Sequence, residues 1–316
     1  MADTPTEQRM SVAYAAGVVV SGNSAGAAVE SLPMIGGYTG DNGPENGLQQ
    51  GSVDLWLGQT PGHRGLSFGL PNALLDQHVF QRGRIGRLIN AAWTTRLLGT
   101  GVDAETGATI VDESVLTDVA GRPAAVVIDT KIYASSGRYA GPTSSLAISR
   151  VATHIIPPGG YGYRLDQLRP LVNGQPLPAP NIAGRTFGAL DLPASYGPLL
   201  LGGDISGDKS GLAAKRFVAR SGGSAAQLVV LVAGYAKSSN AQADAKAYAA
   251  AFQPLVTAPV QWFVVDARAD QAAIQQAIGQ ATGVFLTAPD QSLVKAAITA
   301  AVPVVDAVRV RWQEKR

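Results

Sequence analysis

The sequence predicts an α/β fold: a parallel central sheet with helices on both faces, plus a β-rich portion. Three observations predict it. In the C-terminal third, apolar runs of strand length alternate with stretches of helix length. A further strand–turn–helix pattern stands near the N-terminus, and the middle of the chain changes to short β-branched segments.

The elements follow in order. Residues 16–20 read as a strand, followed by a sharp turn and a helix from about Ser24. Residues 36–69 open with a Gly/Asn/Pro-rich run and read as a long loop or lid. Residues 109–110, 124–128 and 145–156 read as strands, while 157–160 and 175–181 carry the Pro and Gly of loops. Residues 199–201 supply a short strand before Gly202-Gly203-Asp204. Strands then fall at 226–236, 260–266 and 283–287, with helices at 240–252, 270–280, 290–301 and 303–313.

Composition excludes several chemistries. The 316 residues contain no cysteine and three histidines, His63, His78 and His154. A thiol nucleophile, Cys-ligated zinc, an iron–sulfur cluster and disulfides are therefore out, and a His-rich metal site has little to draw on. We expect neither metal nor cofactor. A net charge of +2 without a Lys/Arg-rich run argues against nucleic acid. No apolar stretch reaches the ~18 residues that span a bilayer, which argues against a membrane partner. Arg9, the apolar 12–20 and Ala25-Gly26-Ala27 mimic a signal peptide, but Asp3 and Glu7 cancel its positive start, so a cytoplasmic protein is expected.

A nucleophile must then be Ser or Thr. Gly22-Asn23-Ser24-Ala25-Gly26 matches G-x-S-x-G at the predicted strand–helix turn. Small flanking residues let such a turn expose Oγ, and the backbone N–H of Ala25 points where an oxyanion would form. The pattern alone is short, and a Gly-rich helix cap explains it equally well. Among the bases, His63 sits in a Pro-Gly loop and reads as solvated, and His154 in an apolar β pattern reads as packed. His78 follows Asp76 and Gln77 and precedes Arg82, Arg84 and Arg87, a context suited to binding carboxylates. The bland reading of those arginines is a solvated helix face.

Ser21–Ala27 as SGNSAGA, together with DQHVFQRGRIGRL from Asp76 to Leu88, resembles the cyanophycinase family of serine peptidases. GTGVD at 99–103 and IIPPG at 155–159 resemble two further blocks of that family. The order is unusual. Segments similar to the family's N-terminal half (197–316) follow those similar to its C-terminal half (11–196), with residues 1–10 as an added arm. The chain thus resembles a circular permutant folded as a single α/β hydrolytic domain. A rearranged reading frame from a tandem gene is the alternative, and the single occurrence of each half favours the permutant.

The resemblance implies a class I glutamine-amidotransferase-like fold, a homodimer, and a Ser–His–acid triad that releases β-aspartyl-arginine dipeptides from cyanophycin. Ser24 matches the nucleophile, His78 the base, and Asp76, Gln77, Arg82, Arg84 and Arg87 the substrate-binding set. Two positions depart from the pattern. Where the family carries its triad acid stands Ala104, leaving Glu105, one residue on, or Asp103 to orient His78. Loss of that acid costs a triad ~10⁴-fold in turnover. The family's Gly-Gly beside the oxyanion is Ala288-Pro289, so Ala288 is the expected second donor and Pro289 has no N–H. These departures keep alternatives open: an impaired relative that binds acidic peptides, or another aspartyl dipeptidase. An α/β-hydrolase esterase, resting on G-x-S-x-G alone, fits poorly, because that fold places its His late in the chain.

Overall fold

The computed structural model describes residues 2–133, 135–141, 144–178, 197–203 and 205–314, and it divides into two compact units, residues 1–183 and 184–316. Among the described residues it is a mixed α/β structure whose sheets are mostly antiparallel. Each unit is described by itself.

The first unit opens with α1 (Pro5–Ala15), started by Thr4, whose Oγ1 accepts the Glu7 N–H, and by Pro5 in the first turn. The expected arm, residues 1–10, is therefore largely the front of a docked helix. Glu7 is only 2% exposed. Its carboxylate accepts Arg64 Nη1 (2.5 Å) and Nη2 (2.7 Å) and the N–H groups of Ser67 and Asp3 (both 2.7 Å). The strand expected at 16–20 does not form. Gly17 turns the chain out of α1 at φ +89°, and Val19 is left 87% exposed. An apolar run becomes a strand only where a neighbour completes its hydrogen-bond ladder, and here none does.

A short helix, α2 (Ala25–Ala28), follows Ser24. Within the stretch read as a loop, β1 (Met34–Tyr38) and β2 (Val53–Trp56) pair antiparallel. The run between them is pinned rather than free, since Asn90 Nδ2 donates to the Gly47 and Gln49 carbonyls. Next, β3 (Ala73–Gln77), α3 (Ile85–Thr95) and β4 (Leu98–Val102) form a parallel β–α–β crossover. The β-rich portion follows: β5 (Thr106–Val111), β6 (Val115–Gly121), β7 (Ala125–Asp129), β8 (Ser136–Tyr139), β9 (Leu146–Ser149), β10 (Ala152–Ile156), β11 (Tyr161–Arg164), β12 (Arg169–Val172) and β13 (Gln175–Pro176).

A four-stranded sheet in the order β10-β7-β4-β3 is the centre of this unit. One face buries Leu74, Val126 and Ile128 against Leu88, Ala91 and Ala92 of α3. The other buries Leu75, Leu98 and Val127 against Leu116, Val119 and Tyr163 of the antiparallel sheet β13-β12-β11-β6-β5. Among the described strands of this unit, β3 and β4 are the one parallel pair.

The second unit opens with α4 (Leu212–Arg220), which the predicted pattern lacks; β14 (Leu228–Val232), α5 (Ser238–Phe252), β15 (Gln261–Val264), α6 (Gln271–Gln280), β16 (Gly283–Thr287), α7 (Gln291–Ala300) and α8 (Val302–Gln313) then follow the predicted alternation. The sheet β15-β14-β16 is wholly parallel. Leu228, Val230 and Val232 pack on Ala241, Ala245 and Phe252 of α5, while Val229 and Leu231 pack on Ile274 and Ile278 of α6. Helices thus cover both faces. Residues 199–201 form no strand, and Leu201 is 96% exposed, for the same want of a partner. Asp204, and the 179–181 end of the predicted Pro-rich loop, lie outside the described residues.

Candidate active site

Ser24 stands at the start of α2 with φ 53° and ψ −120°, a conformation that side-chain-bearing residues rarely adopt. Such a turn pushes the side chain outward, and Ser24 is exposed. The flanking glycines differ in their reasons. A Cβ on Gly22 would fall 2.1 Å from the Gly26 carbonyl oxygen and 2.7 Å from the Ala27 nitrogen, so only glycine fits. A Cβ on Gly26 would meet nothing within 4 Å. Among the described residues the Ala25 N–H has no hydrogen-bond partner.

The end of β3 delivers His78 to this serine. Ser24 Oγ and His78 Nε2 lie 3.2 Å apart, across 54 residues of sequence. His78 itself has φ 53° and opens a tight turn in which Arg82 N–H donates to the His78 carbonyl (3.0 Å) and Arg84 N–H to that of Val79 (2.7 Å). His78 Nδ1 is 2.9 Å from Gln81 Oε1.

Neither candidate acid bonds to the imidazole. Glu105 occupies an exposed turn with φ 55°, its side chain 72% exposed and 3.7 Å from Arg122. Asp103 is buried, and its Oδ1 accepts the N–H groups of Phe80 (3.1 Å) and Gln81 (2.9 Å). It therefore fixes the turn that carries His78 without touching the ring. Gly101 explains part of the GTGVD block: a Cβ there would strike Val79 Cγ2 at 2.4 Å.

The predicted substrate-binding residues separate into three kinds. Asp76 and Arg87 are 1% and 3% exposed and hold each other through two hydrogen bonds, Nε to Oδ2 (2.9 Å) and Nη2 to Oδ1 (2.5 Å). The Arg87 guanidinium also lies 4.9 Å from the Tyr38 ring centroid. Arg84 is half-buried; its Nη1 donates to the Gln77 carbonyl (3.1 Å) and Oε1 (2.6 Å), and its buried Nε has no partner among the described residues. Burial, with Arg87 nearby, pushes its pKa below the ordinary arginine value. Arg82 is exposed and has no ion-pair partner among the described residues.

The other histidines behave as expected. His63 is exposed and stacks on Trp56 at 5.2 Å. His154 is half-buried against Tyr163 at 4.8 Å, and burial lowers its pKa. Ala288 belongs to the second unit, exposed between β16 and Asp290, the residue that caps α7.

Sequence reasoning missed two groups. Gln81 could have been found from its i+3 spacing to His78 in a turn. Glu30 gives no such signal. Its carboxyl takes a bond from the Gly22 N–H, its Oε1 is buried without a partner among the described residues, and burial pushes its pKa up to about 7.

The sequence has relatives among known proteins. No protein-family model matches the chain. A cyanophycinase of Geminocystis herdmanii is 30% identical over 171 residues, 53% of this chain and 57% of that protein. One from Trichormus variabilis is 29% identical over 167 residues (52% and 51%), and one from Synechococcus elongatus 30% over 154 residues (48% and 44%). The chain is similar to cyanophycinases. It spans about half the length of the curated relatives it matches. Among the described residues no helix is long and apolar enough to cross a membrane.

Proposed function

We propose that the chain is a cyanophycinase-like serine peptidase that hydrolyses aspartyl-rich peptides, with cyanophycin the substrate suggested by the similarity. The 3.2 Å approach of Ser24 Oγ to His78 Nε2 on a strained turn carries this reading. Ser24 Oγ attacks the scissile carbonyl while His78 Nε2 takes its proton and then gives it to the leaving amine. The free Ala25 N–H donates to the developing oxyanion. Arg82, exposed, and Arg84, half-buried beside it, bind aspartate carboxylates of the substrate. Asp76 and Arg87 brace the strand end and helix start that flank them.

The proposal extends to fold and setting: a class I glutamine-amidotransferase-like fold in permuted order, a homodimer, and a cytoplasmic location. The β3–α3–β4 crossover and the parallel β15-β14-β16 sheet support the fold. Incubation with cyanophycin and with aspartyl dipeptides tests the activity. The protein should release β-aspartyl-arginine, and Ser24→Ala and His78→Gln should not. Equal product from all three would overturn the reading.

A second reading has its own observation. Among the described residues no carboxylate bonds to His78, which suits a relative that binds acidic peptides without cleaving them. Peptide binding without labelling of Ser24 by a fluorophosphonate would favour it.

A further inference from the structure

An imidazole serving as base needs its one proton on the nitrogen facing away from the nucleophile, and the partner of that nitrogen decides this. In most triads the partner is a carboxylate. Here the far nitrogen, Nδ1, faces the amide oxygen of Gln81 at 2.9 Å. Neither candidate carboxylate bonds to it: Glu105 is exposed, in a loose 3.7 Å contact with Arg122, and Asp103 Oδ1 accepts the Phe80 and Gln81 N–H groups. Position 104 is alanine.

We infer that Gln81 is the positioning residue of His78, its amide oxygen holding the proton on Nδ1 so that Nε2 presents a lone pair to the Ser24 hydroxyl. The inference rests on the serine-peptidase reading above and supplies its missing third member. An amide oxygen is an acceptor only, so it selects the same tautomer a carboxylate would. The backbone of the exposed Gln81 is fixed from below: the buried Asp103 accepts its N–H, and the N–H groups of Arg82, Gly83 and Arg84 close the turn onto the His78, Phe80 and Val79 carbonyls. Asp103 thereby acts on the imidazole at one remove, through the turn and not through the ring. What the amide lacks is charge. It leaves the imidazolium that forms during attack without a counterion, so the arrangement sets orientation and tautomer but gives less transition-state stabilisation than a carboxylate.

The scarcity of histidine makes a direct test practical. In protein labelled with ¹⁵N-histidine, three imidazoles contribute ring signals, and His78→Gln removes the one of interest. In the wild type above neutral pH, Nδ1 of His78 should carry the proton. In Gln81→Leu the proton should redistribute toward Nε2, with the His63 and His154 signals unmoved as evidence of folding. Fluorophosphonate labelling of Ser24 should slow at least tenfold in Gln81→Leu. In Gln81→Glu it should be retained, with its half-maximal pH moved upward by the added negative charge. A wild-type His78 protonated on Nε2 would overturn the inference. So would a Gln81→Leu variant that labels at the wild-type rate with the same pH profile. Failure of wild-type Ser24 to label at all would instead sink the peptidase reading, and the tautomer measurement would still decide the role of Gln81.

Discussion

Asp76→Asn tests whether the pair it forms with Arg87 braces the protein or serves the ligand. The two side chains are 1% and 3% exposed and share two hydrogen bonds of 2.9 and 2.5 Å. Neutralising Asp76 leaves a buried guanidinium whose remaining neighbours include the Tyr38 ring and another cation, Arg84. Breaking a buried pair in this way costs about 3–5 kcal/mol. That is about a fifth or more of a typical domain's stability of about 5–15 kcal/mol. At roughly 2–4 °C per kcal/mol for a unit of this size, the melting temperature should fall by about 10 °C. Urea denaturation of the full chain, followed by tryptophan fluorescence, measures the loss directly. The double variant Asp76→Asn/Arg87→Met should recover much of it, because neither charge is then stranded. A single variant with unchanged stability and weakened peptide binding would refute the argument and return Asp76 to the ligand.

Arg82→Ala should behave in the opposite way, leaving the urea midpoint unchanged while weakening a polyaspartyl peptide about tenfold in a binding titration. Gly22→Ala should abolish fluorophosphonate labelling of Ser24, whereas Gly26→Ala, whose new methyl meets nothing within 4 Å, should keep it. Glu7 is held down to about 2, chiefly by its hydrogen bonds from Arg64. Its stabilisation is present above the unfolded value near 4.5 and lost as pH falls toward 2, so Glu7→Gln should cost about 2–3 kcal/mol at pH 7 and almost nothing near pH 2 in urea titrations. Glu30 has the reverse sign. Burial raises it to about 7, so its favourable contribution is complete below pH 4.5 and lost as pH rises through 7. Glu30→Gln should therefore be the more stable protein at pH 8, by about 1–3 kcal/mol, with the advantage gone below pH 4.5.

The second unit was legible because each of its strands is short, apolar and separated from the next by a helix. Leu228–Val232 is buried along its whole length, its side chains packing on helices at both faces, which is why it reads as an unbroken apolar run. The same signal misled at 16–20 and 199–201, where the apolar residues are present and the pairing partner is not. It failed in the other direction at β1. Gly36 and Gly37 weaken the strand pattern of MIGGY, yet Gly36 sits at a register shift of the β1–β2 pair under the Trp56 indole: a Cβ there would lie 2.4 Å from Trp56 Nε1. Composition reported that requirement as a loop.

The site divides along the same line between chemical type and placement. The juxtaposition of Ser24 and His78 was legible because a chain with three histidines offers few partners for a serine in that motif. The three arginines of R-x-R-x-x-R look equivalent in sequence, but the turn gives way to a helix between Arg84 and Ile85. Arg82 lies in the turn and points to solvent, whereas Arg87 lies in the first turn of α3 and reaches back to β3. Their distinct roles come from that change of backbone, which no local spacing rule anticipates. The triad acid poses the same problem. GTGVD carries an aspartate to the right neighbourhood, because Gly101 lets β4 pack closely beneath Val79. Once there, Asp103 meets two backbone N–H groups before it can meet an imidazole. The residue left facing Nδ1 is then Gln81, three positions beyond His78 in the turn that Asp103 holds.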